Sequence, residues 1–246
     1  MSNDGCEIRI GTSGWHYSHW IGPFYPEDLP KSKWLEYYAD HFDTVEINNT
    51  FYRLPKETTM QGWHDRVPGG FLYAVKASRY ITHVKKLRNT TEEVGRFFGL
   101  AVRLEEHLGP ILYQLPPSLH KDLTRLDEFI GGIPQRDRAV FEFRHASWHE
   151  QDTFDLLNER GVALCVHDMG DKAPPRVVTG DMLYVRFHGT SGRYQGNYPD
   201  SLLEEWADWI KSQIAHARAV YIYFNNDVGG HAINNARTLK RILRVS

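Results

Sequence analysis

The sequence predicts an α/β protein built as a single (β/α)8 barrel of the TIM type over residues 1–246. Two observations predict it. About eight short strand signals alternate with about seven helical ones, with no linker between them; right-handed crossovers then give an open doubly wound sheet or a closed barrel, and a count of eight favours closure. Strand after strand also ends in a charged or amide side chain on the face opposite its apolar residues, which is how a barrel presents a site at its C-terminal rim.

The elements follow in order. Ile8–Ile10 reads as a strand breaking into the glycine-rich turn Gly11-Thr-Ser-Gly14, followed by an aromatic loop from Trp15 to Tyr25. Leu35, Tyr38, Ala39 and Phe42 form one helical stripe within Lys33–Phe42. Thr44–Asn48 is a strand with Val45 and Ile47 on one face and Glu46 and Asn48 on the other. Met60, Trp63 and Val67 mark a helix ended by Pro68-Gly69-Gly70. In the strand Phe71–Lys76, Ala74 and Lys76 point inward if Tyr73 and Val75 point out. The next helix has Thr90 and Glu93 as a capping box, a stripe from Val94 to Leu108, and Gly109-Pro110 as its stop.

Ile111–Gln114 is the fourth strand, cut by Leu115-Pro-Pro117, and Leu123, Leu126, Phe129 and Ile130 give a helix before Gly131-Gly132. In the fifth strand, Ala139–Arg144, the two-residue period puts Val140, Glu142 and Arg144 on one face and Phe141 and Phe143 on the other. A helix from Asp152 to Arg160 ends at Gly161, and Val162–Asp168 is the sixth strand. No helix signal follows around Pro174-Pro175, so the helix between strands six and seven is weak or missing. Leu183–His188 is strand seven, with Arg186 and His188 on one face; a loop from Gly189 to Tyr198 and a helix with Leu203, Trp206 and Ile210 follow it. Val220–Asn225 is strand eight, and Gly229-Gly230 opens a last helix.

Composition excludes several classes. The chain is 41% hydrophobic and 24% charged, enough for a large core and too apolar for disorder. A formal net charge of -2 gives no global electrostatic case for nucleic acid. Cys6 and Cys165 are far apart and form neither a disulfide scaffold nor a zinc cluster. The N-terminus lacks a basic and apolar leader and no run approaches a membrane span, so a cytoplasmic protein without membrane contact is expected.

Placed in a barrel, Glu46, Asn48, Lys76, Gln114, Glu142, Arg144, His167 or Asp168, Arg186, His188 and Asn225 gather at one mouth. An ion-pair layer with no chemistry is the competing reading for any one of them. Lys76, Arg144 and Arg186 suit a phosphate or carboxylate, and Gly189-Thr-Ser-Gly192 and Asp227-Val-Gly-Gly230 are candidate phosphate loops. No cofactor is expected. A divalent metal at Glu142, Asp168 and His188 has weak support, because no paired-histidine spacing accompanies it. His83, His145, His149 and His231 read as loop or cap residues. The aromatic loops, with Phe51-Tyr52, Tyr80 and Trp148, either stack a sugar or base or roof the barrel.

At Gly11-Thr-Ser-Gly-Trp15, Glu46-Ile-Asn48 with Thr50–Pro55, Lys76 with Ile81-Thr-His83, Gln114-Leu-Pro-Pro117, Glu142-Phe-Arg-His145 with Ser147-Trp148, Arg186-Phe-His-Gly189 and Tyr223-Phe-Asn-Asn226, the chain resembles the family catalogued as domain of unknown function 72. The resemblance covers essentially the whole chain and implies a TIM-type barrel; it implies no activity. At fold level that family is similar to metal-dependent barrels of the sugar-isomerase and endonuclease IV kind, whose dense histidine and carboxylate ligand sets this chain lacks.

The leading expectation is an enzyme using general acid-base chemistry on a small anionic or polyhydroxylated, sugar-like substrate bearing phosphate or carboxylate. Its catalytic candidates are Glu46, Glu142 and His188; its substrate-binding candidates are Asn48, Lys76, Gln114, Arg144, Asp168, Arg186 and Asn225. The alternatives are a phosphodiesterase or nuclease that takes DNA or RNA across the mouth, and a non-catalytic metabolite-binding protein. Substrate identity, reaction type and oligomeric state are not legible in the sequence.

Overall fold

The computed structural model describes residues 6–168, 174–191 and 194–245. Its strands are β1 (Glu7–Ser13), β2 (Thr44–Ile47), β3 (Leu72–Lys76), β4 (Leu108–Gln114), β5 (Ala139–Glu142), β6 (Ala163–Asp168), β7 (Met182–Phe187) and β8 (Ala219–Phe224). Each runs parallel to the next, and β8 pairs with β1 to close the barrel. Outside lie α1 (Trp34–Ala39), α2 (Asn49–Tyr52), α3 (Glu57–His64), α4 (Thr91–Ala101), α5 (Leu123–Gly131), α6 (Gln151–Arg160), α7 (Asp200–Gln213) and α8 (His231–Leu243). The fold is the expected TIM-type barrel. Residues 174–181, the described part of the β6–β7 connection, hold no helix.

Because successive strand side chains point to opposite faces, the barrel has two cores. The outer one packs residues such as Val45, Val75, Tyr113, Phe141 and Ile222 against the helices. The inner one combines Ala74, Ala163 and Ala219 with Tyr184, Tyr221 and Tyr223, small beside large. Above it, toward the C-terminal ends, the same inward faces carry Glu46, Glu142, His167 and Arg186, all buried. Filling the upper layer with ions instead of aliphatic groups is what marks this end of the cylinder.

Three local expectations are corrected. The Lys33–Phe42 helix is shorter, Trp34–Ala39, with a 3-10 turn over Lys31–Lys33 before it. Thr90 does cap α4 by position, but its side chain makes no capping bond, and Glu93 pairs with Lys85 instead. Gly109-Pro110 does not end that helix: α4 stops at Ala101, a 3-10 segment covers Val102–His107, and Leu108–Pro110 already belong to β4. Proline is tolerated near the start of a strand, and a Cβ on Gly109 would lie 3.0 Å from the Tyr73 carbonyl oxygen, so the glycine serves close strand approach.

Gly11 is under a stronger constraint of the same kind. A Cβ there would stand 2.2 Å from the Thr44 carbonyl oxygen and 3.0 Å from the Tyr38 hydroxyl, and the nearest of these atoms is backbone that cannot swing away. Gly11→Ala is expected to cost about 3 kcal/mol, the upper range of overpacking, in urea unfolding; a loss below about 0.5 kcal/mol would show that β1 and β2 separate freely.

Candidate active site

One guanidinium ties the two acidic strands together. Arg186 of β7 donates through Nη2 to Glu46 Oε1 at 2.7 Å and through Nη1 to Glu142 Oε2 at 2.7 Å. All three side chains are buried. Glu46 also accepts from Ser13 Oγ and Tyr184 Oη, each at 2.7 Å. Burial alone would push both carboxyls up. Arg186, Ser13 and Tyr184 hold Glu46 below its usual range, and Arg144 and Arg186 hold Glu142 well below it. Both are therefore ionised at neutral pH.

Around this core lies a second set closer to the rim. Strand β5 stops at Glu142, yet Arg144 still turns back to pair with Glu142 Oε1, which also accepts from Gln114 Nε2 at 2.9 Å. Arg144 Nη2 lies 3.1 Å from His188 Nε2. Nε2 also lies 3.8 Å from Glu142 Oε1, and Nδ1 lies 3.4 Å from Asn225 Nδ2. Burial pushes His188 down to about 3, so the imidazole is neutral. Lys76, at the end of β3, places Nζ 4.4 Å from the Phe51 ring centre. Burial and then the field of Arg186 lower its ammonium to about 7.

Of the remaining expected residues, Asn48 follows β2, and its Oδ1 is buried without a hydrogen-bond partner among the described residues. His167 points inward from β6 with Nε2 3.3 Å from the Phe143 carbonyl, while its Nδ1 is buried and likewise unpartnered among the described residues. Asp168 alternates away from the bore, and its carboxylate accepts from Tyr198, whose phenol is raised by burial and then by the Asp168 charge. Glu46, Lys76, Gln114, Glu142, Arg144, Arg186, His188 and Asn225 thus gather at one end of the barrel, where Asp168 also ends β6 but turns toward Tyr198.

The two glycine loops are bound up in themselves. A Cβ on Gly189 would fall 2.1 Å from the Gln195 carbonyl oxygen, and Thr190 Oγ1 donates to Asn197 O at 3.0 Å; Gly192 lies outside the described residues. The loop after β8 brings its own carboxylate, Asp227, 3.4 Å from His19 Nε2. A metal does not fit Glu142, Asp168 and His188: the carboxylate of Glu142 is committed to two guanidinium groups and Asp168 faces Tyr198. Trp15, Trp20 and Trp148 are buried roof, with Trp148 stacked on Phe143 at 4.7 Å, whereas Tyr52 and Tyr80 are exposed. His145 caps a 3-10 turn by accepting from the Ser147 amide.

A closed cylinder of eight parallel strands, polar at the C-terminal rim and apolar below, defines a TIM-type barrel. The chain belongs to the family described as "Protein of unknown function DUF72", whose profile matches residues 9–246. It is similar to the UPF0759 protein YunF of Bacillus subtilis (strain 168), at 26% identity over 97% of this chain and 95% of that one. It is also similar to the UPF0759 protein YecE of Escherichia coli (strain K12), at 29% identity over 65% of this chain and 59% of that one. Among solved structures, a DUF72 family protein of Thermotoga maritima MSB8 superposes with a TM-score of 0.87 at 28% identity, over 97% of this chain and 99% of that one. A DUF72 family protein of Enterococcus faecalis V583 gives a TM-score of 0.82 at 20% identity, over 97% and 96%, and bears on the fold alone. No helix among the described residues is long and apolar enough to cross a membrane.

Sequence reasoning missed Ser13 and Tyr184, both bonded to Glu46, and did not identify Arg186 as the partner of that carboxylate. Tyr184 had a signal, two residues before Arg186 on the same strand face. Arg186→Met, which leaves two buried carboxylates side by side, is expected to cost about 3–5 kcal/mol at pH 7. In the parent the folded carboxyl values lie below the unfolded value of about 4.3, so their contribution is complete above that pH and is lost as pH falls through the folded values. The variant should instead gain stability from pH 7 to 5; parallel pH–stability curves for the two proteins would show that Arg186 does not hold these charges.

Proposed function

We propose that the protein is an enzyme that takes a small anionic, polyhydroxylated substrate at the C-terminal rim, with Lys76 as the group that gains and loses a proton there. The observation that carries this reading is a charge balance. Glu46 and Glu142 are offset by Arg144 and Arg186, so among these five side chains Lys76 is the surplus charge, and its ammonium is lowered to about 7. A buried amine poised near neutrality is suited to proton transfer, and an anion beside it would restore the protonated form.

In this reading Glu46 and Glu142 do not transfer protons; held ionised by guanidinium groups, they position Arg186 and Arg144. Neutral His188 lies between Arg144 and Asn225, and Gln114 and Asn225 orient the ligand. The unpartnered Asn48 Oδ1 and His167 Nδ1 favour hydroxyl-bearing ligands, since each buried polar atom left without a bond costs about 1–3 kcal/mol.

The test is a panel of phosphorylated sugars and sugar acids, read by thermal shift and then by product formation. Affinity for the best ligand should fall as pH rises through about 7, because binding favours the charged lysine. Lys76→Met should lose binding and turnover; Lys76→Arg should bind with a flat pH profile and turn over at least about 100-fold more slowly. Oligonucleotide binding in place of these ligands, tight binding without product, or unchanged turnover in Lys76→Met would each overturn the proposal.

The same lysine sets a pH dependence in the free protein. Its value is about 7 folded and about 10.4 unfolded, so the unfolded chain binds more protons between the two and stability should rise from pH 7 to 10. Denaturant midpoints of the parent should show that rise, and those of Lys76→Met should lack it.

A further inference from the structure

At the opposite end of the barrel, three side chains with metal-binding atoms converge. His64 is the last residue of α3, and Glu106 and His107 are the last two of the 3-10 segment that leads into β4. His64 Nε2 lies 3.4 Å from Glu106 Oε2, His107 Nε2 lies 3.9 Å from Glu106 Oε1, and one ligand atom from each of the three can be chosen so that all lie within 4.8 Å of one another. Glu105 adds a second carboxylate 3.9 Å from His64 Nε2. Ligands of a tetrahedral zinc with bonds of 2.0–2.1 Å stand about 3.3 Å apart, so the set needs to close by up to about 1.5 Å. Glu105 and Glu106 are both exposed, so their side chains can shift toward the two rings.

The outer contacts of the two rings are a separate observation. His107 is buried, and its Nδ1 lies 2.7 Å from the Phe71 carbonyl oxygen, an atom that only accepts, so the proton of the neutral ring is on Nδ1 and the Nε2 lone pair faces Glu106. His64 is held in a similar way: its Nδ1 lies 2.8 Å from Asp65 Oδ1 and 3.2 Å from Gln61 Nε2, and its Nε2 faces Glu106 Oε2. A backbone carbonyl on one ring and a carboxylate on the other are the usual outer partners of metal-ligating histidines, fixing tautomer and ring orientation and raising ligand basicity.

We propose that His64, Glu106 and His107 form a divalent transition-metal site, best suited to zinc, with Glu105 or water as the fourth ligand. Two imidazoles and a carboxylate match zinc in softness and number. The site lies at the N-terminal end of the cylinder, where it would tie the end of α3 to the segment entering β4, so its role is structural and separate from the chemistry at the mouth.

The test uses the full-length, tag-free chain, stripped with chelator and titrated with Zn2+ alone against a chromophoric competitor. One equivalent should bind and raise the melting temperature, and Co2+ in its place should give the intense visible bands of a four-coordinate site. His64→Ala and Glu106→Gln should each weaken Zn2+ binding by at least about 100-fold, and Asp65→Ala, which touches no proposed ligand atom except through the His64 ring, by about tenfold. His107→Gln disturbs a buried contact, so the exposed Glu106 and Asp65 substitutions carry the decision. Binding of less than one equivalent, or equal affinity in the parent, Glu106→Gln and Asp65→Ala, would overturn the proposal and leave the reading of the mouth untouched.

Discussion

The rest of the site depends on one buried guanidinium. Arg186 reaches a carboxylate on either side, Glu46 from β2 and Glu142 from β5, across the bore of the barrel. Removing three ions from water costs several kcal/mol each, and that cost is offset only where geometry is good and remaining lone pairs are bonded. Here the fork of Arg186, the hydroxyls of Ser13 and Tyr184, the amide of Gln114 and the guanidinium of Arg144 meet those needs at the carboxylates, while Arg186 Nε is buried without a partner among the described residues. Replacing such a buried ionic layer by apolar groups of equal volume is often neutral or stabilising, so the network is weak evidence for stability.

Its effect is felt at Lys76 and His188. With two carboxylates already matched to two guanidinium groups, neither cationic form is electrostatically rewarded, and burial lowers Lys76 to about 7 and His188 to about 3. The same network thus leaves one amine near its titration point and one imidazole fixed as neutral. The aromatic residues of the β1 loop complete the enclosure. Trp15 and Trp20 are buried, and Trp20 Nε1 donates to the Asp227 carbonyl at 3.2 Å, joining the loop after β1 to the loop after β8.

The two ends of the cylinder differ in chemistry. At the C-terminal rim carboxylates are consumed by guanidinium groups, which leaves little for a metal. At the N-terminal end the imidazole and carboxylate ligand atoms of His64, Glu106 and His107 converge. The bend that brings Glu105 and Glu106 beside His64 passes through a positive φ of 48° at Glu105, rare for a residue with a side chain.

Much of this was legible in the sequence, because strand alternation is local. The two-residue period alone placed Glu46, Lys76, Glu142, Arg186 and His188 on inward faces, and α6 with its Gly161 stop followed from side-chain spacing and a left-handed C-cap. What the tertiary structure decided was partnership. Register and strand tilt set which inward residues meet, so Glu46 found Arg186 across the bore and not Lys76 on the adjacent strand. Asp168, one residue beyond the inward His167, turned to Tyr198. Gly109-Pro110 reads as a helix stop by composition, yet it lies in β4, where the missing Cβ of Gly109 lets the strand approach the Tyr73 carbonyl on β3. His64 and His107 carry no spacing signal, since their meeting depends on a helix end and a strand start brought together by barrel closure. Periodicity determines which way a side chain faces; only the closed sheet determines what it faces.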